Sequence, residues 1–141
     1  MGAPDPQRLH ALPLFAELTL PDCQRIAAWS EETEYPPGRV ITTEGERDYA
    51  FFMVLDGTAT VSHQDRVIRT LGPGDHFGER AILEEGIRTA TVTADTQLTA
   101  LVMMGFHFRE LEDNYPGVAA TIDADADADA ERWAAADRDH L

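Results

Sequence analysis

The sequence predicts a mainly β domain, a β-roll or jelly roll, flanked by helices at both ends. Three observations carry this. Between Glu34 and Met103 short apolar runs alternate with turn residues. Longer helical patterns precede and follow that window. The chain has 141 residues, 43% of them hydrophobic, which suits one domain with a real core.

The elements follow in order. Leu9, Leu12, Leu14, Phe15 and Leu18 form an apolar stretch broken by Pro13, which predicts a short or irregular helix. Thr19 reads as an N-cap, followed by Pro21 at an early helical position and the acidic Asp22. Leu20, Cys23, Ile26, Ala27 and Ser30 fall on one face of that helix, which should end before Glu31-Glu32. From Glu34 the pattern changes. Pro36-Pro37-Gly38 is a turn, Arg39 to Thr43 a strand, and 44–48 a polar loop. Tyr49 to Leu55 is a strongly apolar strand, and Asp56-Gly57 predicts a hairpin with Thr58 to His63 as the return strand. Gln64-Asp65 is another short turn before the strand Arg66 to Leu71, and Gly72-Pro73-Gly74-Asp75 breaks the chain again. Thr89 to Ala94 and Leu98 to Met103 are two more strands, joined at Asp95-Thr96. Six or seven short strands with frequent turn signals predict the roll.

Gly105 to Asn114 returns to helix, with Phe106, Leu111 and Phe108 expected on the buried side and Tyr115-Pro116-Gly117 ending it. The domain is drawn as 1–122. Residues 123–141 are read as an acidic Ala/Asp-rich tail, since Asp123/Asp127 and Asp125/Asp129 repel at helical spacing and Asp is a poor interior helix former. The stretch 123–130 is expected to be solvated and loosely ordered, with helix only near Trp133. It imitates a calcium loop, but Ala128 and Ala134 stand where that loop needs Gly and Glu.

Charge narrows the function classes. The net charge is −15, from 26 acidic residues against 11 basic ones, all arginine. So negative a surface repels phosphate polymers, so neither nucleic acid nor an anionic membrane is expected as a partner. Cys23 is the single cysteine, which excludes an intrachain disulfide, a redox pair and a four-cysteine metal site. With no secretion signal and no apolar run long enough to span a bilayer, a cytoplasmic location is expected.

One segment carries chemistry: Phe77-Gly78-Glu79-Arg80-Ala81-Ile82-Leu83, a spacer, then Arg88-Thr89-Ala90-Thr91-Val92. Gly78 permits close backbone approach. Glu79 to Leu83 suits a single helical turn whose unsatisfied amides face an anion. The Arg88 guanidinium can make a forked pair with a phosphate. Glu79, acceptor-only when ionised, suits a hydroxyl. The set fits a small ligand with one phosphate and a nearby sugar hydroxyl.

This segment resembles the phosphate-binding cassette of cyclic nucleotide-binding domains. Phe77, Gly78, Glu79, Ala81, Ile82, Leu83, Arg88, Thr89, Ala90, Thr91 and Val92 match the family pattern in order, and the turns at Pro37-Gly38, Gly45-Glu46, Asp56-Gly57 and Gly72 to Asp75 match as well. The resemblance spans roughly residues 10 to 120. It implies about eight strands, N-terminal helices, a short cassette helix and C-terminal helices. It further implies a ligand-binding set of Gly78, Glu79, Arg80, Ala81, Arg88 and Thr89. In that set Glu79 accepts from the ribose 2′-hydroxyl, Arg88 clamps the cyclic phosphate with backbone amides around Gly78 and Ala81, and Thr89 adds a hydroxyl. The implied ligand is cyclic AMP, with cyclic GMP left open because a hydroxyl at Thr89 also suits the guanine amino group. Arg80 stands where the family is usually apolar, and Ile87 where it often has Pro. Glu84 and Glu85 are expected to face solvent.

The function expected is that of a stand-alone regulatory module, not an enzyme. It would need no further cofactor and would signal to an unidentified protein effector through its last helix and tail, with Trp133 as a lid. Its oligomeric state is open. Two other classes compete. In a scaffold with a degenerate pocket, Arg88 would pair with Glu79 and hold an empty loop. A cupin-like metal enzyme would use His76 and His63, but it lacks the usual His-x-His pair. Phe51, Phe52, Met53, Val54 and Leu101 to Met104 serve as ordinary core or as base-pocket lining, and Cys23 as a small core residue.

Overall fold

The computed structural model describes residues 2–79 and 86–126. In chain order these are α1 (Pro6–His10), a 3-10 turn (Pro13–Phe15), α2 (Leu20–Ala28), β1 (Ser30–Tyr35), β2 (Val40–Thr42), β3 (Ala50–Asp56), β4 (Ala59–His63), β5 (Arg66–Leu71), β6 (His76–Phe77), β7 (Thr91–Ala94), β8 (Leu98–Met104) and α3 (Gly105–Asn114). A further helix, α4, runs over 116–126. The strands form two four-stranded antiparallel sheets, ordered β1-β8-β3-β6 and β2-β7-β4-β5. The β-roll with flanking helices is as the sequence predicts.

Two cores result. Between the sheets lie Val54, Val61, Leu71, Val92, Leu98 and Ala100. On the outer face of the first sheet the helices bury Phe51, Met53, Leu101 and Met103 against Ile26, Phe108, Leu111 and Ile122. β3 is covered on both faces, so alternate residues serve different cores and six of its seven residues are buried. Cys23 sits in the helix-side core, as expected.

Local chemistry explains the helix starts. Thr19 Oγ1 accepts from the Asp22 amide at 3.2 Å while the Asp22 carboxylate accepts from the Thr19 amide at 3.1 Å, a reciprocal cap. The Tyr115 hydroxyl donates to the same Asp22 at 3.0 Å and ties the C-terminal helices to α2.

Several expectations need correction. β1 is a strand that the sequence reading passed over: its six residues pair along β8 as an edge strand rich in Glu, with Arg8 donating to Glu32 at 3.2 Å. Asp56-Gly57 does not close a hairpin. β3 and β4 belong to different sheets, so the turn is a corner from one to the other, laid against the matching β7–β8 corner: the Asp95 amide donates to the Thr58 carbonyl at 2.9 Å. Gly57 has φ +89°, and a side chain there would strike the Gln97 carbonyl and Thr96. The true hairpin is β4–β5, turned at Gln64 (φ 52°) and Asp65 (φ 65°). Phe106 is 64% exposed, not buried; Phe108 and Leu111 hold that helix to the core. The tail stretch expected to be loose is helical as far as it is described: α4 passes residue 122 without a break and buries Val118, Ala119, Ile122 and Ala126. Those four positions lie at helical spacing, and their burial seats the helix on the core. Residues 127–141, with Trp133 and the rest of the tail reading, lie outside the described residues.

Candidate functional site

The connection from β6 to β7 crosses from the first sheet to the second and carries Gly78, Glu79, Arg88 and Thr89. The structure brings the first three together in the interior. Gly78 adopts φ +99°, and a Cβ on it would lie 2.6 Å from the Ala50 carbonyl and 2.7 Å from Arg88 Nη1. Only glycine lets the chain pass so close to that guanidinium.

Arg88 is 4% exposed. Its backbone is fixed by the polar loop 44–48: its amide donates to the Glu46 carbonyl at 2.8 Å, and the Gly45 amide donates to its own carbonyl at 2.9 Å. Nη1 donates to the Gly78 carbonyl at 3.1 Å, Nη2 to the Ala50 carbonyl at 2.7 Å, and Nη2 pairs with Asp48 Oδ2 at 2.9 Å. Asp48 is itself oriented, because its Oδ1 accepts from the Ala50 amide at 3.1 Å. These contacts engage three of the five N–H donors of a guanidinium. The buried Nε has no hydrogen-bond partner. One guanidinium face lies 5.5 Å from the centroid of the Phe52 ring, which stacks on Phe77 at 4.8 Å.

Glu79 is 5% exposed, helical in conformation, and its Oε2 has no hydrogen-bond partner. The carboxylate that holds Arg88 is therefore Asp48, not Glu79. The mutual neutralisation required by a degenerate-pocket scaffold does not occur here. What Glu79 faces is His76, whose Nδ1 lies 3.5 Å from Oε2. His76 is 7% exposed, and its Nε2 meets Asp125 Oδ2 of α4 at 2.9 Å. Burial pulls the His76 imidazolium down, but Glu79 and then Asp125 more than offset it, so its pKa lies above the ordinary histidine value.

Thr89 stands next to Arg88 but is exposed, and its carbonyl meets His63 Nδ1 at 2.9 Å. Arg80 and Ala81, the remainder of the turn expected over Glu79 to Leu83, and Glu84 and Glu85 lie outside the described residues. No group of three or more His, Cys, Asp or Glu among the described residues is arranged to hold a metal. His63 instead pairs with Glu44 at 3.4 Å. Of the residues expected either to line a pocket or to form core, Phe51, Met53, Leu101 and Met103 are helix-side core, while Phe52 is the ring beside Arg88.

Sequence reasoning missed three residues. Asp48 looked like loop filler, although an acid next to the apolar strand that faces an arginine loop is a usable signal. His76 was weighed only as a metal ligand. Asp125 was assigned to a solvated tail, although the stripe Val118, Ile122, Ala126 marks the helix that presents it.

Comparison with known proteins bears on this constellation. The family model described as the cyclic nucleotide-binding domain matches residues 32–115. A cyclic nucleotide-gated potassium channel of Rhizobium etli is 33% identical over 116 residues, covering 82% of this chain and 32% of the channel. A cAMP-dependent protein kinase regulatory subunit of Mycosarcoma maydis is 31% identical over 143 residues, covering 84% of this chain and 27% of that one. The chain thus spans about a third or less of the curated relatives it matches. Among solved structures, cAMP-bound PfPKA-R superposes with a TM-score of 0.82 at 24% identity, over 90% of this chain and 44% of that one, a likeness of fold.

Proposed function

The chain belongs to the cyclic nucleotide-binding domain family, and from that premise we propose that it binds cyclic AMP at the β6–β7 crossover and signals the binding to a protein effector. One observation carries the reading: a buried arginine is held open by Asp48, its buried Nε has no hydrogen-bond partner, and the buried Glu79 carboxylate on the same crossover has lone pairs to spare beyond its ion-pair contact with His76. Buried polar atoms left so are costly and call for a ligand that satisfies them. A cyclic phosphate would take the uncommitted Arg88 donors, and the ribose 2′-hydroxyl would donate to Glu79. Gly78, Arg80 and Ala81 would supply backbone around the phosphate, and Thr89 a hydroxyl at its edge.

Cyclic GMP is the alternative ligand, through a Thr89 contact to the guanine amino group. The reading is of a binding module with no catalytic part and no additional cofactor. No helix among the described residues is long and apolar enough to cross a membrane.

Titration calorimetry with cyclic AMP, cyclic GMP and 5′-AMP tests this. Saturable heat is expected with the cyclic nucleotides, greater affinity for cyclic AMP, and a loss on the order of 100-fold in Arg88→Ala. No heat with either cyclic nucleotide would overturn the reading.

A further inference from the structure

Beyond the crossover, the described residue that joins two parts of the molecule through buried charge is His76. It sits on β6, and its two ring nitrogens point in different directions: Nδ1 toward Glu79 at 3.5 Å, and Nε2 toward Asp125 of α4 at 2.9 Å. Only Asp125 is in part exposed, so the imidazole and Glu79 meet out of water. Its uncharged neighbours include the Phe51 ring of β3 at 5.7 Å and Met53, its partner in the β3–β6 ladder. Among the described residues, the charged groups that face His76 are the two carboxylates, one from the crossover and one from α4.

A neutral imidazole can donate from only one nitrogen, so it can serve only one of two acceptors. The imidazolium donates from both. We propose that His76 is a positioning residue that couples the nucleotide site to the C-terminal helix, a single imidazolium holding Glu79 on one side and Asp125 on the other. This rests on the reading of Glu79 as the ribose acceptor. With Nδ1–H on Oε2, the carboxylate is fixed, and its remaining lone pairs are left for the ribose hydroxyl. Without the proton on Nδ1, Glu79 loses that support, and the Nε2–H bond to Asp125 drops from a charge-assisted to a neutral-donor bond, which weakens the tether of α4.

The linkage runs in one direction. The folded-state value of His76 lies above its ordinary value. The bridge is therefore complete below about pH 6.5 and is lost as pH rises through the raised value. Because a ligand that engages ionised Glu79 favours the protonated ring, binding takes up proton, and the same proton tightens the hold on Asp125. Docking of α4 and nucleotide binding are thus mutually favourable.

The test uses the 141-residue chain. Cyclic AMP affinity is measured by calorimetry from pH 5.5 to 8.5, in two buffers of different ionisation enthalpy, for the parent, His76→Gln and Asp125→Asn. Hydrogen exchange of the α4 amides of the free protein is followed over the same range. The parent should bind about threefold to tenfold more tightly at pH 6 than at pH 8, with proton uptake near neutrality. In His76→Gln both the pH dependence and the uptake should vanish. Asp125→Asn should speed α4 exchange below pH 6.5 and leave little change with pH. Binding that is pH-independent in the parent and equal in His76→Gln would overturn the coupling and leave the proposed function intact. No binding by the parent at any pH would remove the function first and the coupling with it. α4 exchange indifferent to pH and to Asp125→Asn would overturn the tether directly.

Discussion

Gly78 and Arg88 occupy each other's only space. With a Cβ at position 78 placed 2.7 Å from Arg88 Nη1 at φ +99°, Gly78→Ala must either strain the backbone or displace the guanidinium. It should cost about 1–3 kcal/mol, read from denaturant unfolding, and weaken cyclic AMP binding as well. A variant as stable and as tight as the parent would contradict the geometry. Asp48 is the other half of the arrangement. Asp48→Ala leaves a buried guanidinium without its carboxylate at 2.9 Å. The loss should be about 1–3 kcal/mol, less than for a fully buried pair because Asp48 is partly exposed, with affinity falling alongside. Burial, and then the Asp22 charge, push the Cys23 thiol up. It should resist alkylation in the folded protein and react only on unfolding.

Elements are held by faces that the sequence showed unevenly. Ile122 is fully buried on α4 beneath the first sheet. Ile122→Ala should cost about 2–5 kcal/mol in unfolding free energy and loosen α4 amides first in hydrogen exchange. Val67 on β5 is 69% exposed, and Val67→Thr should stay within about 0.5 kcal/mol of the parent. What was legible follows the same division. β3, β5, α2 and α3 were readable because apolar period or a cap marks each of them. β1 was not, because Glu31, Glu32 and Glu34 break the apolar alternation, and its pairing comes from β8 rather than from its own composition. β6 has two residues, too few for any period. The Asp56-Gly57 corner shows a different limit: turn chemistry reports that the chain reverses or bends, not which strand it will meet. Glu79 and Arg88 were legible from their spacing with Gly78. Asp48 and the His76–Asp125 contact were not, since each joins residues 40 or more apart through the fold.

At the scale of the whole molecule, two electrostatic effects oppose each other. The chain carries −15 overall, yet the proposed ligand is an anion that meets a buried arginine. Long-range repulsion is screened by salt, whereas a short buried contact is screened much less. Cyclic AMP association should therefore quicken modestly as salt rises, with the dissociation rate nearly constant, in stopped-flow measurements. A steep fall in affinity with salt would instead mark a polyphosphate-binding surface. Both sheets, both cores and the loop 44–48 converge on the crossover, so the ligand geometry is the sharpest test of the whole. A crystal structure of the chain grown with cyclic AMP measures it. The cyclic phosphate should lie within about 3 Å of the Arg88 guanidinium, with the ribose 2′-hydroxyl on Glu79 and Asp48 still on Nη2. A phosphate bound elsewhere, or Glu79 turned onto Arg88 with the nucleotide excluded, would contradict it.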